Sequence, residues 1–479
     1  MRFKKQINLA SLTPILICLI FFVLYCTLAT IKHAHFISGY DLAVVDQAIW
    51  KYSQFKTPIA TIHSYFDTPI YFDHLEPIFI ILSPLYWINP NTYTLITLQV
   101  LAVIASGYAV YLLAKDKKIP DHLSIALLIN YLAFYGIQNA IWADVHSLVF
   151  AIPFLSFYIY FLETENYKWA IVPFLFAIFC KEDIALFTLL IALIQYIITK
   201  NKKMFYFIAG SLLYLSFVFI IFFPHFTNGY RFQNANGIFS GIKLSNFYNS
   251  SDKQQAIFFS LANYGFIPIG APVYLLLFLA DLAHYFVLGN RYVSDAQGLF
   301  LHYRGTIALF LSWPTIIVLS KYKKYSKYLA FYLILCTIII QYFLHLPLSY
   351  LTKSWFWKTP ESVNSTNIAI KKIPAGAKLA TQVNIAAHTS HRDFTYTLWP
   401  TTKEFKRKSP CGNTVCDWFR IGKQVDYILV DTSTDWDARY FLEDRQKFIN
   451  AIQNLEKTKT IKPIFRQNTT YLFKVTGKI

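Results

Sequence analysis

Two aspartates, Asp41 and Asp46, stand in the stretch SGYDLAVVDQAIW, directly after the first long apolar run. If a helix starts here, Asp41 can cap its first turn by accepting free amide hydrogens. Asp46 shares a helical face with Leu42, Ile49 and Trp50, so it interrupts an apolar stripe. A carboxylate on such a face needs a cation, a metal or a proton. Further along, Asp73, His74 and Glu76 lead into an apolar segment bounded by Pro77, Pro84 and Pro90. That segment is too short to cross a bilayer and suits lying in the interface or re-entering it. Asp144 and His146 stand two apart in DVH, which in an extended loop points both the same way, as two ligands of one divalent cation do. Lys181, Glu182 and Asp183 sit wedged between two apolar runs, and Arg231, Asp281, His284, Arg291, His302, Tyr303 and Arg304 follow. His74 beside its acids could bind a metal or transfer a proton, and the Lys and Arg residues could grip phosphate oxygens and stabilise negative charge on a leaving group. Each residue also has a plainer reading as a helix cap, an ion pair, a rim histidine or a headgroup anchor.

The elements that must hold these residues are apolar. Of 479 residues, 55% are hydrophobic, 18% aromatic and only 15% charged, far beyond a soluble globular chain. A polytopic membrane protein is expected. The opening MRFKK and the run Leu9 to Ile31 look like a signal peptide, but the run is long, lacks a small-residue cleavage site and reads as a retained first helix. The twenty-residue rule gives about eleven spans, at 9–31, 92–114, 121–138, 147–163, 167–181, 183–199, 204–223, 254–268, 270–288, 304–320 and 327–347. Clusters at Lys4 and Lys5, Lys115 to Lys118, Lys200 to Lys203 and Lys321 to Lys327 then fall on one side, the cytoplasmic one, with the N-terminus inside. The excess of 44 Lys and Arg over 26 Asp and Glu therefore reports orientation first, and no nucleic-acid partner is inferred.

Residues 1–350 thus read as a membrane domain with a large first external loop at 31–91, and residues 351–479 as an extracytoplasmic α/β domain. In the latter, strand-like runs at Lys378 to Val383, Val425 to Asp431 and Thr470 to Val475 alternate with a helical run at Asp437 to Leu455. It carries 21 Lys and Arg against 11 Asp and Glu, fitting an anionic membrane surface or a generic solvated one. Cys18, Cys26, Cys180 and Cys336 lie in apolar runs as packing residues; Cys411 and Cys416 form a C-x4-C pair, a disulfide candidate outside the cytoplasm.

The order GYDLAVVDQAIW, HLEPIFIILSPLYWINP, LITLQV, DVHSLVFAIPF, KED and LHYRGTIALF resembles the bacterial membrane proteins of domain-of-unknown-function family 2079. The ending IPAGAKLATQVNIAAHTSHRDFTYTLWP and VDYILVDT resembles that family too, so the likeness covers nearly the whole chain. The family is similar in architecture to the GT-C glycosyltransferases, which take a sugar from a polyprenyl-phosphate carrier on the outer side of the membrane. The resemblance implies a catalytic or metal-organising acid just after the first helix, matched by Asp41 and Asp46, and a second acid matched by Asp144. On this reading Asp41 or Asp46 is the base, Asp144 and His146 orient acceptor or metal, and Lys181, Arg231 and Arg304 face the phosphate. His74, Glu182, Asp183, His302 and Tyr303 complete the substrate side. No clean D-x-D stands in the first loop, so a divalent metal at Asp41, Asp46, Asp144 and His146 stays an open option. The implied partners are the bilayer, a polyprenyl-phosphate-sugar donor and a glycan, lipid or protein acceptor of the cell envelope. The competing expectations are an ion- or proton-coupled transporter and a non-enzymatic envelope assembly or binding protein.

Overall fold

The computed structural model describes residues 9–62, 68–227, 243–287, 298–398, 424–433 and 445–477. It divides into two compact units: one comprises Met1–Ala29, Tyr71–Ile81 and Ile96–Thr352, the other Thr30–Ile70, Leu82–Leu95 and Lys353–Ile479. Arg231, Arg291, Cys411 and Cys416 lie outside the described residues.

Among the described residues, four helices are long and apolar enough to cross a membrane: Leu12–Ala34, Thr92–Asp116, Met204–Phe226 and Lys323–Leu344. Asp121–Leu132 and Tyr135–Trp142 make a fifth if the pair, bent by 41°, is one span. The expected eleven spans are therefore not all present as full-length helices. Ser147–Glu163, Tyr167–Ile178, Ile184–Thr199 and Leu276–Phe286 are apolar but have only 17, 12, 16 and 11 residues. At 1.5 Å per residue, a 12-residue helix covers about 18 Å, well short of a hydrocarbon core of about 30 Å. The charged break expected between 181 and 183 is where Tyr167–Ile178 stops and Ile184–Thr199 starts.

In the first unit the bend between Leu132 and Tyr135 frees the Ala133 carbonyl, which Gln138 Nε2 caps at 2.7 Å. Gln138 also binds Gln341 at 2.7 Å and accepts the Leu348 amide at 3.0 Å, so one buried side chain fixes the kink to two other segments. Glu163 acts likewise, accepting from Gln195 (2.6 Å) and Trp313 (2.9 Å) and pairing with Lys117 (2.6 Å). Gly136 lies against the backbone at Arg304, and a Cβ there would collide with the Arg304 carbonyl. Gly136→Ala is expected to destabilise by about 3 kcal/mol, the upper end of overpacking because the obstacle is backbone; thermal unfolding in detergent measures it.

The second unit holds a five-stranded sheet in the order β2-β1-β3-β5-β4, with β1 Leu379–Thr381, β2 Thr395–Thr397, β3 Tyr427–Asp431, β4 Ile461–Gln467 and β5 Thr470–Val475. β1 pairs in parallel with β2 and β3; β5 pairs antiparallel with β3 and β4. Successive residues of β3 face opposite sides: Ile428 and Val430 pack with Phe448, Ile452 and Phe473, while Leu429 packs with Phe36, Val363 and Leu472. The β4–β5 turn places Asn468 at φ 51°, a left-handed conformation Asn tolerates. Of the helical run expected at 437–455, the described residues begin at 445 and form the helix Arg445–Lys457, which ends two residues later than expected.

Candidate functional site

Each unit buries its own polar cluster. In the second, helix Tyr40–Ser53 begins with Gly39 at the cap position, so Asp41 lies in the first turn rather than capping it; there its exposed carboxylate favours the positive helix end. Asp46, one turn on, is fully buried, as its place on the apolar face requires. Its Oδ1 accepts the Tyr86 hydroxyl, and its Oδ2 accepts from Thr92 (2.9 Å) and Ser390. His391 Nε2 stands 3.0 Å from Oδ2 as an ion pair, though its N–H is not aligned for a hydrogen bond. Burial alone pushes the Asp46 carboxyl up, but the His391 charge and the Ser390 and Tyr86 hydroxyls outweigh it and hold the group below its ordinary value. Burial pushes His391 down, and the Asp46 charge more than reverses this. The neighbouring Gln47, also fully buried, donates to Thr61 (3.0 Å) and to the Arg392 carbonyl (2.9 Å) and accepts the Ile62 amide (3.2 Å). Helix Tyr40–Ser53 is thereby clamped to 390–392. To serve as a base, Asp46 would first have to release a donor.

In the first unit, His74, Glu76, Lys181, Glu182, Asp183, Asp281, His284, His302, Tyr303 and Arg304 form one electrostatic neighbourhood. Glu182 is its buried anchor: Oε1 lies 2.7 Å from His74 Nδ1, and Oε2 accepts the Leu75 amide at 3.0 Å. Burial raises Glu182, but the His74 and Lys181 charges bring it down to about 2. Burial and the Lys181 charge lower His74, yet Glu182 leaves it above its usual value. Lys181 Nζ pairs with Asp183 Oδ2 at 3.3 Å, not with adjacent Glu182. Glu76 accepts the Ser147 hydroxyl at Oε1, and no described residue bonds Oε2. Burial pushes its carboxyl up to about 7, although the residue keeps part of its surface in solvent. Arg304 is fully buried, with its guanidinium 5.7 Å from the Tyr285 ring centre and 5.3 Å from that of Phe286. His302 stacks on His146 at 3.6 Å; burial and the charges of His146, Lys181 and Arg304 push it well below its ordinary value, so it is neutral. His146 donates to the Asp144 backbone carbonyl at 2.8 Å, while its amide donates to Gln99 Oε1 at 3.0 Å.

A family model described as predicted membrane protein (DUF2079) matches residues 32–456. The chain belongs to this family. No curated protein matches it. The match spans both polar clusters of this DUF2079 protein, and the apolar helices place it in a lipid bilayer.

Of the residues singled out by sequence, His74, His146, Lys181, Glu182, Asp183, His302, Tyr303 and Arg304 gather in the first unit together with Asp144, whereas Asp41 and Asp46 belong to the second. Among the described residues no group of three or more His, Cys, Asp or Glu is arranged to hold a metal ion. Sequence reasoning missed His391, Ser390, Tyr86 and Thr92 as partners of Asp46. The paired histidines in HTSHRDF were a visible signal, but nothing in the chain links them to a carboxylate 345 positions earlier.

Proposed function

We propose that this DUF2079 protein is a membrane glycosyltransferase of GT-C type. It would move a sugar from a polyprenyl-phosphate-linked donor to an envelope acceptor on the outer side of the cell membrane, with the N-terminus inside and the C-terminal α/β domain outside. The observation that carries this reading is the first-unit cluster, where cations and an available carboxylate share one site within apolar helices. The reaction forms a bond between acceptor oxygen and the sugar's anomeric carbon and breaks that carbon's bond to phosphate oxygen. The electron pair leaves with the carrier phosphate, and the acceptor proton goes to a carboxylate. Lys181 and Arg304 are the phosphate-side groups on this reading. Glu76, with Oε2 unbonded among the described residues and its carboxyl near neutrality, is the carboxylate best disposed to take the proton. Asp144 and His146, in the same unit, would orient the acceptor, and Asp46 of the other unit would brace its own helix.

The test compares envelope glycans and lipid-linked sugars in cells carrying wild type, Glu76→Gln or Lys181→Ala. A lipid-linked sugar should accumulate and an envelope glycan should fall, with transfer lowered on the order of a hundredfold, as for removal of one charge-stabilising group. Unchanged glycans and carriers would count against the reading. Proton-coupled transport is the second reading, favoured by the Glu76 carboxyl near 7 beside the His74–Glu182 pair; proton uptake by proteoliposomes, lost in Glu76→Gln, would select it.

A further inference from the structure

Asp183 and Asp281 each use one carboxylate oxygen and leave the other unused. Asp281 is only 2% exposed; its Oδ1 accepts the Thr306 hydroxyl at 2.7 Å, and its buried Oδ2 has no hydrogen-bond partner among the described residues. Asp183 directs Oδ2 at Lys181, with His284 Nδ1 3.9 Å away, and its Oδ1 is likewise buried without a partner among the described residues. Asp281 and His284 stand one turn apart on helix Leu276–Phe286, so helical spacing turns both toward Asp183. The two carboxylates are close enough for the charge of one to be felt at the other. His302 Nε2 is also buried with no partner among the described residues.

A buried carboxylate oxygen with no donor forfeits its hydration without replacement, and two in one neighbourhood call for a ligand that brings donors. A phosphate is the wrong ligand for these oxygens, since it would meet like charge. A neutral ring bearing several hydroxyls is the right one: each hydroxyl donates to a carboxylate oxygen, and neutral His302 can donate or accept. Beside these groups the half-buried rings of Tyr285 and Tyr303 stack at 4.8 Å, and His302 lies 4.0 Å from Tyr303. Aromatic faces of this kind cover the apolar C–H side of a sugar.

We propose that Asp183, Asp281 and His302, flanked by Tyr285 and Tyr303, form the subsite for the sugar of the lipid-linked donor. Lys181, paired with Asp183, marks the border between this sugar end and the phosphate end. The assignment rests on the glycosyltransferase reading and adds to it the ligand class, an uncharged hexose or pentose, and the groups that recognise it.

The full chain in nanodiscs would be titrated with undecaprenyl phosphate, bare and in a panel carrying one neutral hexose or pentose. At least one sugar-bearing carrier should bind wild type about tenfold more tightly than the bare carrier, and Asp281→Asn should erase that preference. If no panel member binds wild type better than the bare carrier, or if Asp281→Asn keeps the full preference, the subsite is overturned while the transferase reading still stands on the glycan comparison. If wild type binds neither form, both are overturned. The wild-type comparison decides the matter even if the variant fails to fold.

Discussion

Asp46→Ala is expected to destabilise the protein by about 3–5 kcal/mol, the range for breaking a buried charged pair by removing one partner. The size follows from what is stranded. Three hydroxyls, from Tyr86, Thr92 and Ser390, lose their acceptor at a fully buried position, and the partly buried His391 imidazolium loses its counter-charge. Asp46→Asn should cost less, because the amide keeps one acceptor oxygen but must turn an N–H₂ toward donors. His391→Gln should cost less again, since that side chain retains about a quarter of its surface in solvent. The pair also predicts a pH window. Asp46 titrates below its ordinary 3.8 in the folded protein, so its contribution is present above 3.8 and is lost as pH falls through the lowered value. His391 titrates above its ordinary 6.5, so its contribution is present below 6.5 and is lost as pH rises through the raised value. The difference in melting temperature between wild type and Asp46→Asn, followed across pH in detergent, should be widest between these limits. An unchanged difference at high and low pH would show that the four contacts do not act as an ion-pair cluster.

The legibility of Asp46 illustrates what a sequence carries. Its burial could be read from the helical face it shares with Leu42 and Ile49, because that periodicity is local. Its partners could not, since Tyr86, Thr92, Ser390 and His391 reach it through tertiary folding. The same division runs through the fold. β5 occupies the stretch its alternation predicts, and β3 starts two residues late. The long apolar helices are where continuous hydropathy puts them, whereas equally apolar stretches at 147–163 and 167–178 form helices too short for the span rule. Hydropathy records that a segment avoids water; helix length is set by where the charged break at Lys181–Asp183 and similar interruptions fall. In that break the adjacent acid looked like the partner of Lys181, yet neighbouring side chains point apart. The lysine instead meets Asp183, two positions on, and releases Glu182 to His74.

That exchange of partners yields the second large effect. Glu182→Ala should destabilise by about 3 kcal/mol or more, since it leaves the Leu75 amide without its acceptor and His74 beside Lys181 with only the weaker charge of Asp73 to offset it. Glu182→Gln is the sharper test, because it keeps the shape and the Leu75 contact but removes the charge that lifts His74. His74 should then titrate below its wild-type value, as burial and Lys181 act on it with less opposition. In wild type the Glu182 contribution is present above 4.5 and lost as pH falls toward about 2, while that of His74 is present below 6.5 and lost as pH rises through its raised value. Glu76, raised from 4.5 to about 7, contributes most below 4.5 and loses that contribution as pH rises through 7. Stability of the first unit should thus decline as pH rises from 4.5 through neutrality to the raised His74 value, and Glu182→Gln should flatten the His74 part of the decline while leaving the Glu76 part. Imidazole proton resonances of His74 in selectively labelled protein separate the two. A His74 titration unmoved by Glu182→Gln would mean that the 2.7 Å contact does not set the histidine's charge. If the resonance moves down as expected, Glu182 is a positioning residue whose charge holds His74 protonated beside Glu76, the arrangement that lets a carboxylate near neutrality exchange a proton at the mouth of a membrane site.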